Sequence, residues 1–286
     1  MRKYKARRSM MVLGGAGQIG KPLVEYLKSQ NIRVYDVDLV YGQEQDLRKD
    51  CLLVDYWMAQ VEFVFFLAYD IGGSKFLKDK QGNLQFLMNN TQIMNNVFRL
   101  LDKHNKPFAF ASSAMTEMPW SPYGNLKKLG EHFTESTGGI STRFWNVYGP
   151  EHDELKSHVI TDFIKKAKNT GVIDMLTDGT EVRQMLYAED CSKALLALAD
   201  NFEEAKEHKK FDVTNGVWSS IYEIAQIVAE HYGAEIIRPD TKDTVQLNSK
   251  IEPKLESINK FWNPNTATPL KEGIIKMIEY YESQES

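Results

Sequence analysis

Seven residues near the start, Gly14-Gly15-Ala16-Gly17-Gln18-Ile19-Gly20, restrict the fold more than any other part of the chain. They follow a short apolar run, Ser9–Leu13, and lead straight into a helical pattern over Ile19–Lys28 carried by Ile19, Leu23, Val24 and Leu27. Strand, glycine turn and helix in that order open a βαβ unit. Gly14 makes the turn, Gly17 admits a pyrophosphate close to the backbone, and Gly20 lets the helix lie against the sheet. The unpaired first-turn amides, at Gln18 and Ile19, supply hydrogen bonds and a favourable field for phosphate. The spacing is GxxGxxG rather than GxGxxG, and the strand–turn–helix context makes it a dinucleotide site.

Asn31–Asp36 predicts the second strand, centred on Ile32, Val34 and Tyr35. Asp36 ends it, placed to accept hydrogen bonds from both adenosine ribose hydroxyls and to repel the extra phosphate of NADP. NAD is therefore the expected cofactor, with Asp38 a second candidate for the acid. Further strands are expected at Glu62–Ala68, Pro107–Ala111, Ile140–Phe144 and Phe211–Thr214. Helices are expected at Asn83–Lys103, after Tyr123, and at Lys156–Lys168, Glu189–Asn201, Ser220–His231 and Pro269–Tyr281. Short apolar runs alternating with longer periodic segments imply an α/β protein with a parallel sheet.

Composition narrows the partners. Lys+Arg 35 against Asp+Glu 39 gives a net charge of −4, a poor match for a chain that coats nucleic acid. Two cysteines, Cys51 and Cys191, make no disulfide framework, which favours a reducing compartment. The basic head, Arg2, Lys3, Lys5, Arg7 and Arg8, is followed by no usable apolar signal segment, and no stretch reaches about 18 clean apolar residues. A cytoplasmic protein with no membrane partner is expected. No phosphate-loop GxxxxGK[ST] is present, and the scattered histidines form no compact metal-ligand set.

The middle of the chain carries the candidate chemistry. Ser112–Ser113 follows a predicted strand, and Tyr123 and Lys127 stand at an i,i+4 interval on the start of a helix, on one face. A phenolate can exchange a proton with a sugar hydroxyl. Lysine can stabilise that phenolate and hold a nicotinamide ribose, and serine can donate to the substrate oxygen. A YxxxK pair by itself is often an ordinary helix face; the glycine turn and the serine pair raise it to a catalytic candidate.

Together these segments resemble the extended short-chain dehydrogenase/reductase family, in particular its nucleotide-sugar epimerases and dehydratases. The resemblance runs through the glycine turn, FFLAYDIGG, ASSAMTEMPWSPYGNLK, RFWNVYGP, DGTEVRQMLYAED and the closing PLKEG, almost the whole chain. It implies a doubly wound parallel Rossmann-type sheet with a smaller C-terminal substrate-binding region. Residues 1–146 would mainly bind NAD and carry the catalytic groups, and residues 147–286 would mainly bind substrate, with strand and helix exchange across the boundary. A nucleotide-diphosphate sugar is the implied substrate, and a homodimer through helices near residues 84–103 and 123–136 is implied as well.

The resemblance also assigns residues. Gly14, Gly17 and Gly20 match the cofactor turn and Asp36 the ribose acid. Asp46 matches a residue beside adenine, with Leu47 next to that base, and Leu67–Ala68 matches the strand end near the nicotinamide. Ser113, Tyr123 and Lys127 match the catalytic trio, with Ser112 an alternative for the serine. Asn90 matches a residue that organises the strand–helix region. Asn146 and Arg183 match contacts to the substrate's phosphates, and His158 has a counterpart in some relatives.

The departures are informative. Ala114 and Met115 stand where a 4,6-dehydratase has an Asp–Glu pair, and Met115 also replaces the cysteine of a 3,5-epimerase. Gln184 replaces an acid after the arginine. Thr116–Glu117–Met118–Pro119 stands in place of a VYG-like segment, and the connection from Ser113 to Tyr123 is short. A redox trio without the extra acid–base residues implies NAD-dependent C4 epimerisation through a transient 4-keto sugar. A nucleotide-sugar 4-reductase or oxidoreductase, or a non-catalytic nucleotide-sugar-binding protein, are the alternatives.

Overall fold

The computed structural model describes residues 8–151, 157–243 and 251–284. Most of the basic head (Arg2, Lys3, Lys5 and Arg7), His152 and Lys156 lie outside the described residues. The first half runs β1 (Ser9–Leu13), α1 (Gly20–Ser29), β2 (Arg33–Val37), α2 (Leu52–Met58), β3 (Phe63–Phe66), α3 (Ser74–Lys80) and α4 (Leu84–His104). It continues with β4 (Phe108–Ser113), α5 (Pro122–Ser136), β5 (Ile140–Phe144) and β6 (Asn146–Tyr148). The second half contains α6 (Val159–Thr170), β7 (Val172–Asp174), β8 (Val182–Tyr187), α7 (Ala188–Asp200) and α8 (Phe202–His208). β9 (Lys210–Val213), β10 (Trp218–Ser220), α9 (Ile221–Tyr232), β11 (Glu235–Ile237) and α10 (Leu270–Ser283) complete it.

Six strands form one parallel sheet in the order β2-β1-β3-β4-β5-β9. Alternation along β1 shows why it is covered on both faces. Met10 and Val12 face a core shared with α1 and α7, whereas Met11 and Leu13 face one shared with α2 and α4. Burying apolar side chains on both sides accounts for the near-continuous apolar strands, of which Phe63–Phe66 is the plainest. This is the doubly wound Rossmann-type α/β architecture. A three-stranded sheet, β10-β8-β6, and a two-stranded pair, β11-β7, belong to the C-terminal region. Their own core packs α6, α9 and α10 through Ile160, Phe163, Ile224, Val228, Ile274 and Ile278.

Several boundaries move by a residue or two for local reasons. Helix α5 begins at Pro122, ahead of Tyr123, because Ser121 caps it by accepting from the Gly124 amide at 3.0 Å. The expected helix at 156–168 instead spans Val159–Thr170 and ends at Gly171, whose φ of 69° stops it. Pro269 occupies the cap of α10 rather than its first turn. No helix among the described residues is long and apolar enough to cross a membrane.

Candidate active site

The strand order reverses between β1 and β3, and the carboxyl ends of these strands flank a crevice of the kind in which α/β sheets bind ligands. Gly14 turns the chain there with φ 89°, and its amide donates to the Val37 carbonyl at 2.7 Å. A Cβ at Gly14 would lie 2.7 Å from the Ala68 amide nitrogen, and one at Gly20 would lie 2.0 Å from the Gly14 carbonyl oxygen. Those two glycines therefore let three pieces of backbone meet. Gly17 is exposed, and a Cβ there would approach only the Gly14 oxygen, at 3.3 Å. Ile19 anchors the turn in the core, and the buried Gln18 Nε2 has no partner among the described residues.

Gly15 was not marked by the spacing of the motif, although the adjacent glycine pair was its signal. A Cβ at Gly15 would fall 1.6 Å from Asp36 Oδ1. The acid thus reaches over the turn itself. Asp36 Oδ2 accepts from the Tyr41 hydroxyl at 3.0 Å, whereas Oδ1 is buried with no partner among the described residues. Burial raises the Asp36 pKa, with the Tyr41 hydrogen bond and Lys28 opposing it. Asp38 uses its carboxylate otherwise, accepting from the Ala16 amide at 3.1 Å and the Val40 amide at 3.2 Å. An orphaned carboxylate oxygen, an orphaned amide and an open glycine backbone on one turn fit the ribose and pyrophosphate of a dinucleotide.

Asp46 and Leu47 are more enclosed than their expected place beside adenine suggests. The Asp46 carboxylate accepts two bonds from the Arg48 guanidinium, at 2.8 and 3.0 Å, and its pKa is pulled down chiefly by them. Leu47 is buried in the core beside α2 and α4. Asp36→Ala is expected to weaken NAD binding by roughly 10–100-fold, on the scale of losing one to two charge-assisted hydrogen bonds. It should also reduce the preference over NADP and leave the circular dichroism spectrum unchanged. Calorimetry with both cofactors checks this.

The two candidate serines have different partners in the sheet. Ser112 Oγ donates to Glu131 at 2.7 Å, and Glu131 is buried and held by Arg143 at 2.6 and 2.8 Å. Ser113 is left to face the site, capping the short turn Ala114–Glu117 by accepting from the Met115 amide at 3.2 Å. Gly124 then brings α5 up to that turn, since a Cβ there would lie 2.0 Å from the Met115 carbonyl oxygen. Burial pushes the Tyr123 phenol up to about 12, and hydrogen bonding to the Ser113 side chain draws it back down in part.

Lys127, one turn on, is buried, and its Nζ donates to the Ala111 carbonyl at 2.6 Å. Burial holds its ammonium well below the usual lysine range. The same Nζ lies 3.5 Å from the ring centre of Tyr69, a residue of the β3 loop that drew no functional reading from the sequence. Leu67 and Ala68, partly buried, connect β3 to that loop. Asn90 fastens it: its side chain accepts from the Asp70 amide at 2.8 Å and donates to the Asp70 carbonyl at 3.1 Å.

The phosphate-contact candidates lie on the small sheet. β5 pairs Phe144 with Ser113, so Asn146 leaves the large sheet at the end where Ser113 stands. β6 pairs Asn146 with Met185 of β8, two residues along from Arg183, so Asn146 and Arg183 share a face. The Arg183 guanidinium donates to Asp243 and to the Val182 carbonyl. His158 stands apart from the trio's hydrogen bonds, its Nδ1 joined to Glu151 at 2.5 Å. Gln184 is buried and accepts from Thr214 Oγ1 at 2.9 Å.

Comparison with known proteins finds relatives over part of the chain. A GDP-L-fucose synthase of Sinorhizobium fredii is 34% identical over 170 residues, 55% of this chain and 49% of that protein. A dTDP-L-rhamnose 4-epimerase of Burkholderia thailandensis is 32% identical over 124 residues, 41% of this chain and 34% of that protein. The chain thus spans half or less of the length of these curated relatives. Among solved structures, a GDP-6-OMe-4-keto-L-xylo-heptose reductase from C. jejuni superposes with a TM-score of 0.84 at 17% identity, covering 98% of this chain and 99% of that one. That match is one of fold. The model of the NAD dependent epimerase/dehydratase family matches residues 10–214, and with the glycine turn and the sheet order it shows that this chain belongs to that family.

Proposed function

We propose that the chain is an enzyme that binds NAD and inverts C4 of a nucleotide-diphosphate sugar through a transient 4-keto intermediate. The observation that carries the proposal is that Tyr123 meets both Ser113 and Lys127, and that the Ala68–Tyr69 segment touches Gly14 on one side and Tyr123 and Lys127 on the other, with Ala114 and a buried Met115 where further acid–base groups would be needed for other chemistry. Gly14, Gly17, Gln18, Ile19, Gly20 and Asp36 would hold the cofactor, with Asp46, Leu47, Leu67 and Ala68 along its length. When bound, NAD supplies the acceptor and donor for the hydrogen on C4. Tyr123 takes the C4 hydroxyl proton and later returns it. Ser113 donates to the same oxygen, and Lys127 stabilises the phenolate and holds the nicotinamide ribose. Asn146 and Arg183 hold the diphosphate, so the region beyond residue 146 mainly binds substrate.

Incubating the protein with NAD and candidate nucleotide-sugars, and following C4 stereochemistry by NMR, tests the proposal. Reversible inversion with no net change in nicotinamide absorbance supports it, and dehydration without inversion rejects it. A 4-reductase, which would use the same trio but release its redox product, is the second reading. It predicts a stoichiometric absorbance change with a 4-keto sugar.

We further propose a homodimer through α4 and α5. Leu84, Met88, Leu129 and Phe133 are large apolar side chains exposed on these two helices, and unpaired apolar patches of this kind favour association. Light scattering is expected to give twice the monomer mass. Leu129→Glu with Phe133→Glu is expected to return the monomer mass.

A further inference from the structure

Tyr69 has no place in the scheme above, yet it touches two of its three central residues. Asn90 fixes the Asp70 backbone next to it, and Asn89 donates to the Asp70 carboxylate at 2.9 Å, so the loop is pinned to α4. From that anchor the Tyr69 ring lies over the Lys127 ammonium, 3.5 Å from centre to Nζ. It also meets Tyr123 edge to face, with centres 5.9 Å apart and planes at 76°. A cation this close to a ring face is attracted by the ring's negative quadrupole, most strongly where water is excluded.

The surroundings of Lys127 show why that attraction matters. β4 presents the Ala111 carbonyl and the Phe110 ring, whose centre is 5.0 Å from Nζ. α5 presents Tyr123, its ring centre 5.8 Å away, and the β3 loop presents Tyr69. The titratable groups facing the ammonium are thus two phenols, and among the described residues no charged side chain offsets its burial. A carboxylate at this point would hold the ammonium too, but would also cancel the field it exerts on Tyr123. A ring stabilises the cation and leaves its charge intact.

We propose that Tyr69 is a positioning residue whose ring face keeps the buried Lys127 ammonium charged and aligned beside Tyr123. Its consequence for turnover rests on the function proposed above, whereas the cap itself belongs to the chain without substrate. The hydroxyl of Tyr69, buried with no partner among the described residues, takes no part in it.

The test reads Lys127 directly. The full chain, labelled with 15N-lysine, is titrated by NMR, and the Lys127 signal is assigned by its loss in Lys127→Met. Tyr69→Leu is expected to lower the Lys127 titration midpoint by about one pH unit, the scale of a desolvated cation–π contact. Tyr69→Phe keeps the face and should titrate like the native chain. Phenylalanines of increasing ring fluorination at position 69 keep the shape but drain the face, and should lower the midpoint stepwise even if Tyr69→Leu does not fold. In turnover, Tyr69→Leu should move the rising limb of the pH profile to higher pH by a similar amount, with KM for the sugar unchanged.

Coincident Lys127 titrations in the native, leucine and fluorinated proteins would overturn the cap, whatever the activity. Stepwise titrations in a protein that turns over no nucleotide-sugar would uphold the cap and reject the function.

Discussion

Tyr123→Phe is expected to lower the single-turnover rate of the proposed reaction by roughly 100–10,000-fold, the usual contribution of a positioned acid–base group. The substitution keeps the ring, and with it the edge contact to Tyr69 and the packing beside Met115 and Leu77. It removes only the hydroxyl linked to Ser113. NAD affinity should be retained, because the glycine turn and Asp36 are untouched. The pH dependence gives a second signature. With the phenol at about 12 in this environment, the phenolate fraction climbs about tenfold per pH unit through the neutral range. The native rate should rise with pH until another step limits it, and the residual Tyr123→Phe rate should be flat. A folded variant with near-native chemistry would remove Tyr123, and most of the proposed mechanism, from consideration.

Lys127→Met is expected to separate activity from stability in opposite directions. Turnover should fall by roughly 100–10,000-fold, since the phenolate loses its nearest cation. Stability should hold or increase by about 1 kcal/mol, because a buried ammonium with no carboxylate partner among the described residues costs more than the one carbonyl bond it satisfies. The sign depends on pH in a definite way. Lys127 has a folded pKa below its unfolded value, so its cost is fully present below the folded pKa and disappears as pH rises towards the ordinary lysine range. The advantage of Lys127→Met in thermal or urea unfolding should therefore be largest at neutral and acid pH, and should shrink as pH rises. A loss of several kcal/mol at neutral pH would instead make Lys127 a structural anchor.

Much of the large sheet is legible from sequence because each strand carries its own signal. Ser9–Leu13 carries four apolar residues in a row before Gly14, and Ile140–Phe144 follows the Gly138–Gly139 pair with apolar residues at both its ends; both strands have those limits in the structure. The small sheet is not legible in this way. β6 and β10 have three residues each, too few to display a period, and their pairing joins positions as distant as Asn146 and Met185. The site divides along the same line. Gly14, Gly20 and Asp36 can be read locally, because a tight turn and the strand end beside it constrain residue type. The choice between Ser112 and Ser113 depends on Glu131 and Arg143, which reach the serine across neighbouring elements. Tyr69 reads as ordinary core aromatic material until the loop places its face on a lysine.

The last strand of the large sheet has a consequence for how the protein is made. β9 lies beside β5, yet it is the stretch Lys210–Val213, and Ile258 and Trp262 join the same core from still later in the chain. As the polypeptide leaves the ribosome, the sheet that carries the glycine turn stays one strand short until Lys210–Val213 has been synthesised. Until then the β5 edge offers unpaired amides and carbonyls to any neighbouring chain. A gene cut after Asn146 would encode this unfinished state permanently, as a five-stranded sheet with an adhesive rim. The crossing of the chain back to β9 thus ties the residues after Asn146 to the completion of the sheet that carries the glycine turn.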